Sequence, residues 1–289
     1  MQKIVPHLWF DKQARQAAEF YISLFDNSKI DFVSLIPDTP SGDAELVGFQ
    51  IMGYEFMAIS AGPYFKVNPS ISFHVRCRTV EKVEQIWEKL SQDGTVMMEL
   101  GEYPFSRRYG WIQDRFGVSW QVIHTAGDFN QKIMPALMFV GDVCGKAEEA
   151  TGFYTSIFKD GKAEILARYA ENETPDQEGT VQYAQFILAG QEFAAMDSAF
   201  AYEFRFNEAI SFIINCADQQ EIDYFWTVLS AEPQAEQCGW IKDKYGVSWQ
   251  IIPANMAELI ARNPAKTTPV MLKMKKIIIA DLEKAGEKR

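Results

Sequence analysis

Tyr103-Pro-Phe-Ser-Arg-Arg108 is the stretch of this chain with the clearest capacity for chemistry. Arg107 and Arg108 can bind an anionic or phosphonate-like group, while Tyr103, Phe105 and Trp111 can wall in the apolar part of such a ligand. The plainer alternative is a solvated hairpin edge. Other reactive residues are sparse: three histidines (His7, His74, His124) and four cysteines (Cys77, Cys144, Cys216, Cys238). The cysteines show no C-x-x-C spacing, which reads as reduced, buried thiols of a cytoplasmic protein rather than disulfides or a zinc site. Cys144 stands at an expected helix start, where thiol pKa values fall, but it has no evident histidine partner and is a poor nucleophile candidate. There is no P-loop and no G-x-S-x-G. The Gly-rich strand-to-helix turn that a Rossmann-type methyltransferase needs is also missing.

The formal net charge of −11 argues against a broad nucleic-acid or anionic-membrane surface, either of which needs clustered Lys and Arg. No apolar run reaches the roughly 18 residues of a membrane span, and the N-terminus has no secretory h-region. With 47% hydrophobic residues, the chain has ample material for packed cores.

The elements that must position these side chains are written twice. Tyr109-Gly-Trp-Ile-Gln-Asp-Arg-Phe-Gly-Val-Ser-Trp-Gln-Val-Ile123 recurs as Cys238-Gly-Trp-Ile-Lys-Asp-Lys-Tyr-Gly-Val-Ser-Trp-Gln-Ile-Ile252, identical at ten of fifteen positions. Asp114 to Gly117 reads as a type I turn whose glycine takes the left-handed conformation, so the motif is a fold-defining hairpin. In the first copy Ile4 to Phe10 is strand-like, and Asp11 is a plausible N-cap. Ala14, Ala17, Ala18, Tyr21, Leu24 and Phe25 then mark a buried helical face. Strands are expected at Ile30 to Ile36, Leu46 to Met52 and Tyr54 to Ser60, with 37–42 as an exposed loop. A second β-α-β-β-β unit begins at Ile71, with His74 sharing a strand face with Ser72 and Arg76. Residues 125–132 form the linker. The domains are therefore 1–127, 131–253 and a helical extension over 254–289.

Register between the copies shifts, from an offset of 139 at Ile71/Ile210 to 129 at Trp120/Trp249. The first copy thus carries an insertion of ten residues near 97–108, the segment holding the arginines. In the tail, helices are expected at 255–262 and about 269–285. Met271, Met274, Ile277, Ile278 and Leu282 form an apolar stripe that either packs across the domains or acts as a lid.

These motifs carry a resemblance. Asp-[Arg/Lys]-[Phe/Tyr]-Gly-Val-Ser-Trp-Gln after Gly-Trp, with Asn-x-x-Ile-Ser-Phe and Phe-Tyr-x-x-[Leu/Ile]-Phe, is similar to the PhnB-like, or 3-demethylubiquinone-9 3-methyltransferase, domain family of the vicinal oxygen chelate superfamily. The resemblance covers both copies. It implies an α+β fold of tandem glyoxalase-like domains, each built from two βαβββ modules whose curled mixed sheets surround a cavity, with helices outside.

Superfamily enzymes place metal ligands on the first and last strands of each module. By that resemblance His7, His74 and Gln121 would hold one divalent metal of undetermined identity in the first domain. The second-copy equivalents, Ala136, Ile213 and Gln250, have lost both histidines, so no metal is expected there. Gln121 departs from the glutamate common in the superfamily and brings no charge to an ion. The implied function is a metal-dependent enzyme acting on a small oxygenated substrate. The alternative is a non-catalytic small-molecule binding or sequestration protein, or a scaffold, with a degenerate metal site. Expected partners are a small-molecule ligand, with no nucleic acid and no membrane. The copies form a pseudo-dimer within one chain, and a homodimer stays open.

Overall fold

The computed structural model describes residues 2–287; residues 1, 288 and 289, at the outer ends of the expected domains, lie outside the described residues. Four modules follow one another. The first is β1 (Ile4–Phe10), α1 (Ala14–Leu24), β2 (Lys29–Thr39), β3 (Gly42–Ile51) and β4 (Tyr54–Ser60). The second is β5 (Ile71–Cys77), α2 (Val80–Leu90), β6 (Thr95–Tyr103), β7 (Ser106–Gln113) and β8 (Ser119–His124). The third is β9 (Ile133–Phe139), α3 (Ala147–Ile157), β10 (Lys162–Arg168), β11 (Val181–Leu188) and β12 (Gln191–Asp197). The fourth is β13 (Ile210–Cys216), α4 (Gln219–Leu229), β14 (Trp240–Lys242) and β15 (Ser248–Pro253). The tail adds α5 (Met256–Ala261), α6 (Pro264–Leu272) and α7 (Ile279–Gly286).

Local chemistry explains most of these limits. Helix α1 buries Ala14, Ala17, Ala18, Tyr21 and Leu24 on one face. Its cap is not Asp11. The Ala14 N–H donates to the hydroxyl of Ser60, 3.0 Å away at the end of β4. In the second copy Asp197, at the end of β12, accepts from the Gly145 and Ala147 N–H groups at 2.7 and 3.1 Å. Each first-module helix is therefore capped from across the sheet, a long-range device that no local pattern announces. The expected loop at 37–42 is also corrected. Strand β2 continues to Thr39 and pairs with β3 down to Gly42, because Pro37 costs nothing on a sheet edge.

Strand pairing runs between modules of different copies. The seven-stranded sheet runs β14-β15-β13-β1-β4-β3-β2, and the eight-stranded sheet β10-β11-β12-β9-β5-β8-β7-β6. Antiparallel β1–β13 joins the first module to the fourth, and antiparallel β5–β9 joins the second to the third. Each mixed sheet is thus built from strands of both copies. Leu8, Phe73, Phe56, Trp120 and Trp249 belong to one core that spans all four modules. Phe56 of one sheet meets Phe73 of the other at 5.1 Å, so the sheets turn their Phe56/Phe73 faces to each other.

The insertion of the first copy is β6 and its turn. The fourth module lacks that strand, and the tail takes its place. Cys238 N–H donates to the Met274 carbonyl at 2.8 Å and Gly239 N–H to the Lys275 carbonyl at 2.7 Å. Their first-copy counterparts, Tyr109 and Gly110, lie on the strand that pairs with β6. An edge otherwise left open is thereby covered. The expected helix over 269–285 is broken for this reason: the carbonyls at 274 and 275 serve β14's edge instead of a helix. Leu259, Ile277 and Leu282 give the tail a small core of its own.

Close packing of α2 on β7 depends on a missing side chain. A Cβ on Gly110 would lie 2.4 Å from Trp87 Cζ3. One on Gly48 would lie 2.3 Å from Phe32, but that ring is 41% exposed and free to swing away. Gly110→Ala should cost about 1–3 kcal/mol in urea unfolding and Gly48→Ala distinctly less. Equal costs would contradict this account.

Candidate binding faces of the two sheets

Strand alternation places the site residues. On β5, Phe73 and Val75 enter the shared core, so Ser72, His74 and Arg76 point to the opposite, concave face. On β1, Leu8 and Phe10 enter the core and His7 and Trp9 face away. His7 lies opposite Ser211 and Met57 in the seven-stranded sheet. His74 lies opposite Gln121 and Met134 in the eight-stranded sheet. The expected trio is therefore not brought together. Gln121 and His74 are cross-strand neighbours, whereas His7 sits on the far side of another sheet.

The reassignment leaves one histidine on each concave face. In the seven-stranded sheet Ile213 occupies the position that His74 holds in the other, and in the eight-stranded sheet Ala136 stands where His7 would. Both rings are sealed from solvent, and His7 Nδ1 and His74 Nε2 have no hydrogen-bond partner. Burial pulls both imidazoles down to about 3, with the Arg76 charge adding to this at His74. Both are therefore neutral at physiological pH.

The face of the eight-stranded sheet is a satisfied polar ladder beside an aromatic wall. Tyr109 donates its hydroxyl to Gln121 Oε1 at 2.7 Å, and Gln121 Nε2 donates to Ser72 Oγ at 2.8 Å. Trp111 Nε1 donates to Ser119 Oγ at 2.6 Å. Tyr183 stacks on His74 at 6.0 Å, and Arg76 pairs with Glu192 at one end of the face. Tyr109, Trp111 and Met138 are buried under Tyr202 and Phe204, which arrive from the segment after β12. Tyr103 and Phe105 stack at 5.6 Å and both meet Tyr109 edge-on, at 5.3 and 5.0 Å.

The two arginines divide. Arg108 turns to α2 and pairs with Glu84 at 2.9 Å. Arg107 shares its strand face with Tyr109 and Trp111, is exposed, and has no carboxylate partner among the described residues. Tyr103, Phe105, Arg107 and Trp111 thus gather at one rim, Trp111 at its buried end. Cys144 ends a short 3-10 turn before α3, and burial together with Asp197 and Asp176 pushes its thiol up, the opposite of an activated nucleophile.

Residues 2–123 and 131–252 each match the family described as 3-demethylubiquinone-9 3-methyltransferase. The chain belongs to this family. A putative 3-demethylubiquinone-9 3-methyltransferase, PhnB protein, from Bacillus cereus is 38% identical over 43% of this chain and 100% of its own, with a TM-score of 0.40. Protein PA1353 from Pseudomonas aeruginosa is 25% identical over 43% of this chain and 98% of its own, with a TM-score of 0.36. Glyoxalase I from Zea mays, at 12% identity, covers 89% of this chain and 94% of its own with a TM-score of 0.56, a likeness of fold. No curated protein matches the chain. No helix among the described residues is long and apolar enough to cross a membrane.

The glyoxalase-like fold raises the question of a divalent ion, and the donor chemistry here does not fit one. Each face offers a single imidazole, and no group of three His, Cys, Asp or Glu side chains gathers among the described residues. On the eight-stranded sheet, moreover, the Gln121 oxygen that would face an ion already accepts the Tyr109 hydroxyl.

Proposed function

We propose that this member of the 3-demethylubiquinone-9 3-methyltransferase family is a small-molecule binding protein whose ligand sits against the rim of the eight-stranded sheet. The ligand is a small organic anion with a flat apolar body, such as an aryl carboxylate or aryl phosphonate. The observation that carries this reading is Arg107, a cation with no carboxylate partner among the described residues, on the same strand face as Tyr109 and beside the Tyr103–Phe105 stack. A guanidinium pairs bidentately with carboxylate or phosphonate, and the stacked rings supply apolar contact for the body. The satisfied Tyr109–Gln121–Ser72 ladder is rigid and preorganised behind them.

Titration with 4-fluorobenzoate, followed by fluorine NMR, tests this. Saturable binding should weaken about tenfold or more in Arg107→Ala and fall with added salt. Both Arg107 and Phe105 are exposed, so their alanine variants should unfold at wild-type urea concentrations. Absence of saturable binding, or equal affinity in wild type and Arg107→Ala, would refute the reading.

A further inference from the structure

We propose that β2 is a docking strand for a second copy of this chain, and that two copies join edge to edge, antiparallel, about a two-fold axis at Ser34. No residue of the Arg107 rim takes part, so the inference stands apart from the function proposed above.

The first observation is how the sheet edges are treated. An open edge strand presents unpaired backbone N–H and C=O groups and recruits another strand unless something prevents it. The two sheets end in β14, β2, β10 and β6. The tail covers β14 through the Met274 and Lys275 carbonyls. Strand β6 is broken by three register shifts along its pairing with β7. Strand β10 ends at Arg168, whose guanidinium donates to both Glu148 carboxylate oxygens, at 2.9 and 2.8 Å, and sets charge at that edge. Strand β2 has no such guard. Its register shifts lie at Ile30/Phe32 and Ile36/Thr39, and the run from Phe32 to Ile36 between them is regular. Among the described residues, β3 is the only strand hydrogen-bonded to β2. Helix α6 approaches β2, yet residues 31–35 all stay exposed.

The second observation is the make-up of that run. Aligning Tyr21 with Tyr154 places Leu35 at the position of Arg168, so the guarding charge gives way to an apolar side chain that is 66% exposed. Phe32 and Val33 are exposed as well. No charged residue occurs from Phe32 to Ile36, and Asp31 just before it is paired with Lys29 at 2.8 Å.

Symmetry selects the occupant. A two-fold axis perpendicular to the sheet keeps every side chain on its own face, so the run can oppose itself without a change of face. Centred on Ser34, Val33 meets the partner's Leu35 and Phe32 meets the partner's Ile36, each twice. Pairing with β3 puts Val33 and Leu35 on one face and Phe32, Ser34 and Ile36 on the other, so the junction gains apolar cross-strand pairs on both faces. Pro37, which has no N–H, falls opposite the partner's Asp31 at the register shift, outside the regular run. An unrelated strand would satisfy the backbone without this matched pattern. Five residues per copy bury less than the roughly 1,200–2,000 Å² of a stable interface, so the dimer is reversible.

Sedimentation velocity on the full chain tests this. The chain should pass from monomer to dimer as concentration rises from about 1 to 100 μM. Leu35→Lys sets an ammonium against the partner's Val33 and should weaken the dimer about tenfold or more. Leu35 is exposed and its counterpart is already Arg168, so the variant should fold, with an unchanged urea midpoint at the lowest concentration. A second measurement reads the register. Directly opposed Cβ atoms lie about 5 Å apart, so Ser34→Cys should form a disulfide-linked dimer under mild oxidation. Asp38→Cys should crosslink no more than wild type, because its two copies stand about 26 Å apart in this register. A chain that stays monomeric over the whole range overturns the proposal. So does a dimer that Leu35→Lys leaves intact, or crosslinking of Ser34→Cys no greater than that of Asp38→Cys, since the copies would then meet elsewhere.

Discussion

Asp114→Ala is expected to lower the unfolding free energy by about 3–5 kcal/mol, and Asp243→Ala by a similar amount. Both carboxylates are almost sealed, at 4% and 1% exposure. Asp114 Oδ2 accepts from the Tyr21 hydroxyl and Trp120 Nε1, both at 2.8 Å, while Oδ1 accepts from Phe116 N–H at 2.8 Å and Val118 N–H at 3.1 Å. Asp243 repeats the set with Tyr154, Trp249, Tyr245 N–H and Val247 N–H at 2.7, 2.8, 2.9 and 3.0 Å. Truncation to alanine strands four buried donors at once, and each unsatisfied donor costs about 1–3 kcal/mol before relaxation. The bond from tyrosine matters most to the architecture, because Tyr21 belongs to the first module and Asp114 to the second. Tyr21→Phe removes one partner only and should cost about 1–2 kcal/mol. Urea unfolding measures all three variants. A midpoint unmoved in Asp114→Ala would show that the carboxylate is not the lock between the modules.

The second large effect is acid sensitivity. His7 and His74 carry a proton at an ordinary value of 6.5, but burial lowers both to about 3 in the folded chain. Between those values the unfolded chain binds more protons, so stability rises with pH and is lost as pH falls from about 6.5 towards 3. From pH 7 to pH 5 each histidine should withdraw about 2 kcal/mol, or about 4 kcal/mol together. Asp243 works in the opposite sense. Burial pushes its carboxyl up from 3.8 to about 6, so its share of stability is present at low pH and is lost as pH rises through that window. A difference measurement separates the two. In His7→Ala/His74→Ile, which installs the residues found at equivalent positions 136 and 213, the loss between pH 7 and pH 5 should shrink by about 4 kcal/mol. Parallel stability curves for wild type and double variant would contradict the assignment.

Periodicity and turn chemistry made much of this legible. The α1 face, the Asp114 and Asp243 turns with left-handed Gly117 and Gly246, and the module order all follow from local pattern. The offset between the copies located the insertion that became β6. What local pattern could not supply was partnership. The caps at Ser60 and Asp197 come from strands distant in sequence, and the tail's role at β14 depends on a strand that the fourth module lacks.

The site shows the same division. The grouping of Arg107, Tyr103, Phe105 and Trp111 could be placed from sequence because they sit within a few residues on one hairpin, where spacing alone decides which side chains share a face. Arg107 and Arg108 looked equivalent until α2 was in place to take one of them. His7 and His74 looked like a pair because both belong to the first copy. Sequence by itself determined four modules in two copies, with polar residues facing away from each core. Tertiary structure alone decided that β1 pairs with β13 and β5 with β9. Strand pairing across modules is set by how buried faces such as Phe56 and Phe73 meet, a long-range packing choice that leaves no local mark. That choice sends the two histidines to opposite sides of the molecule.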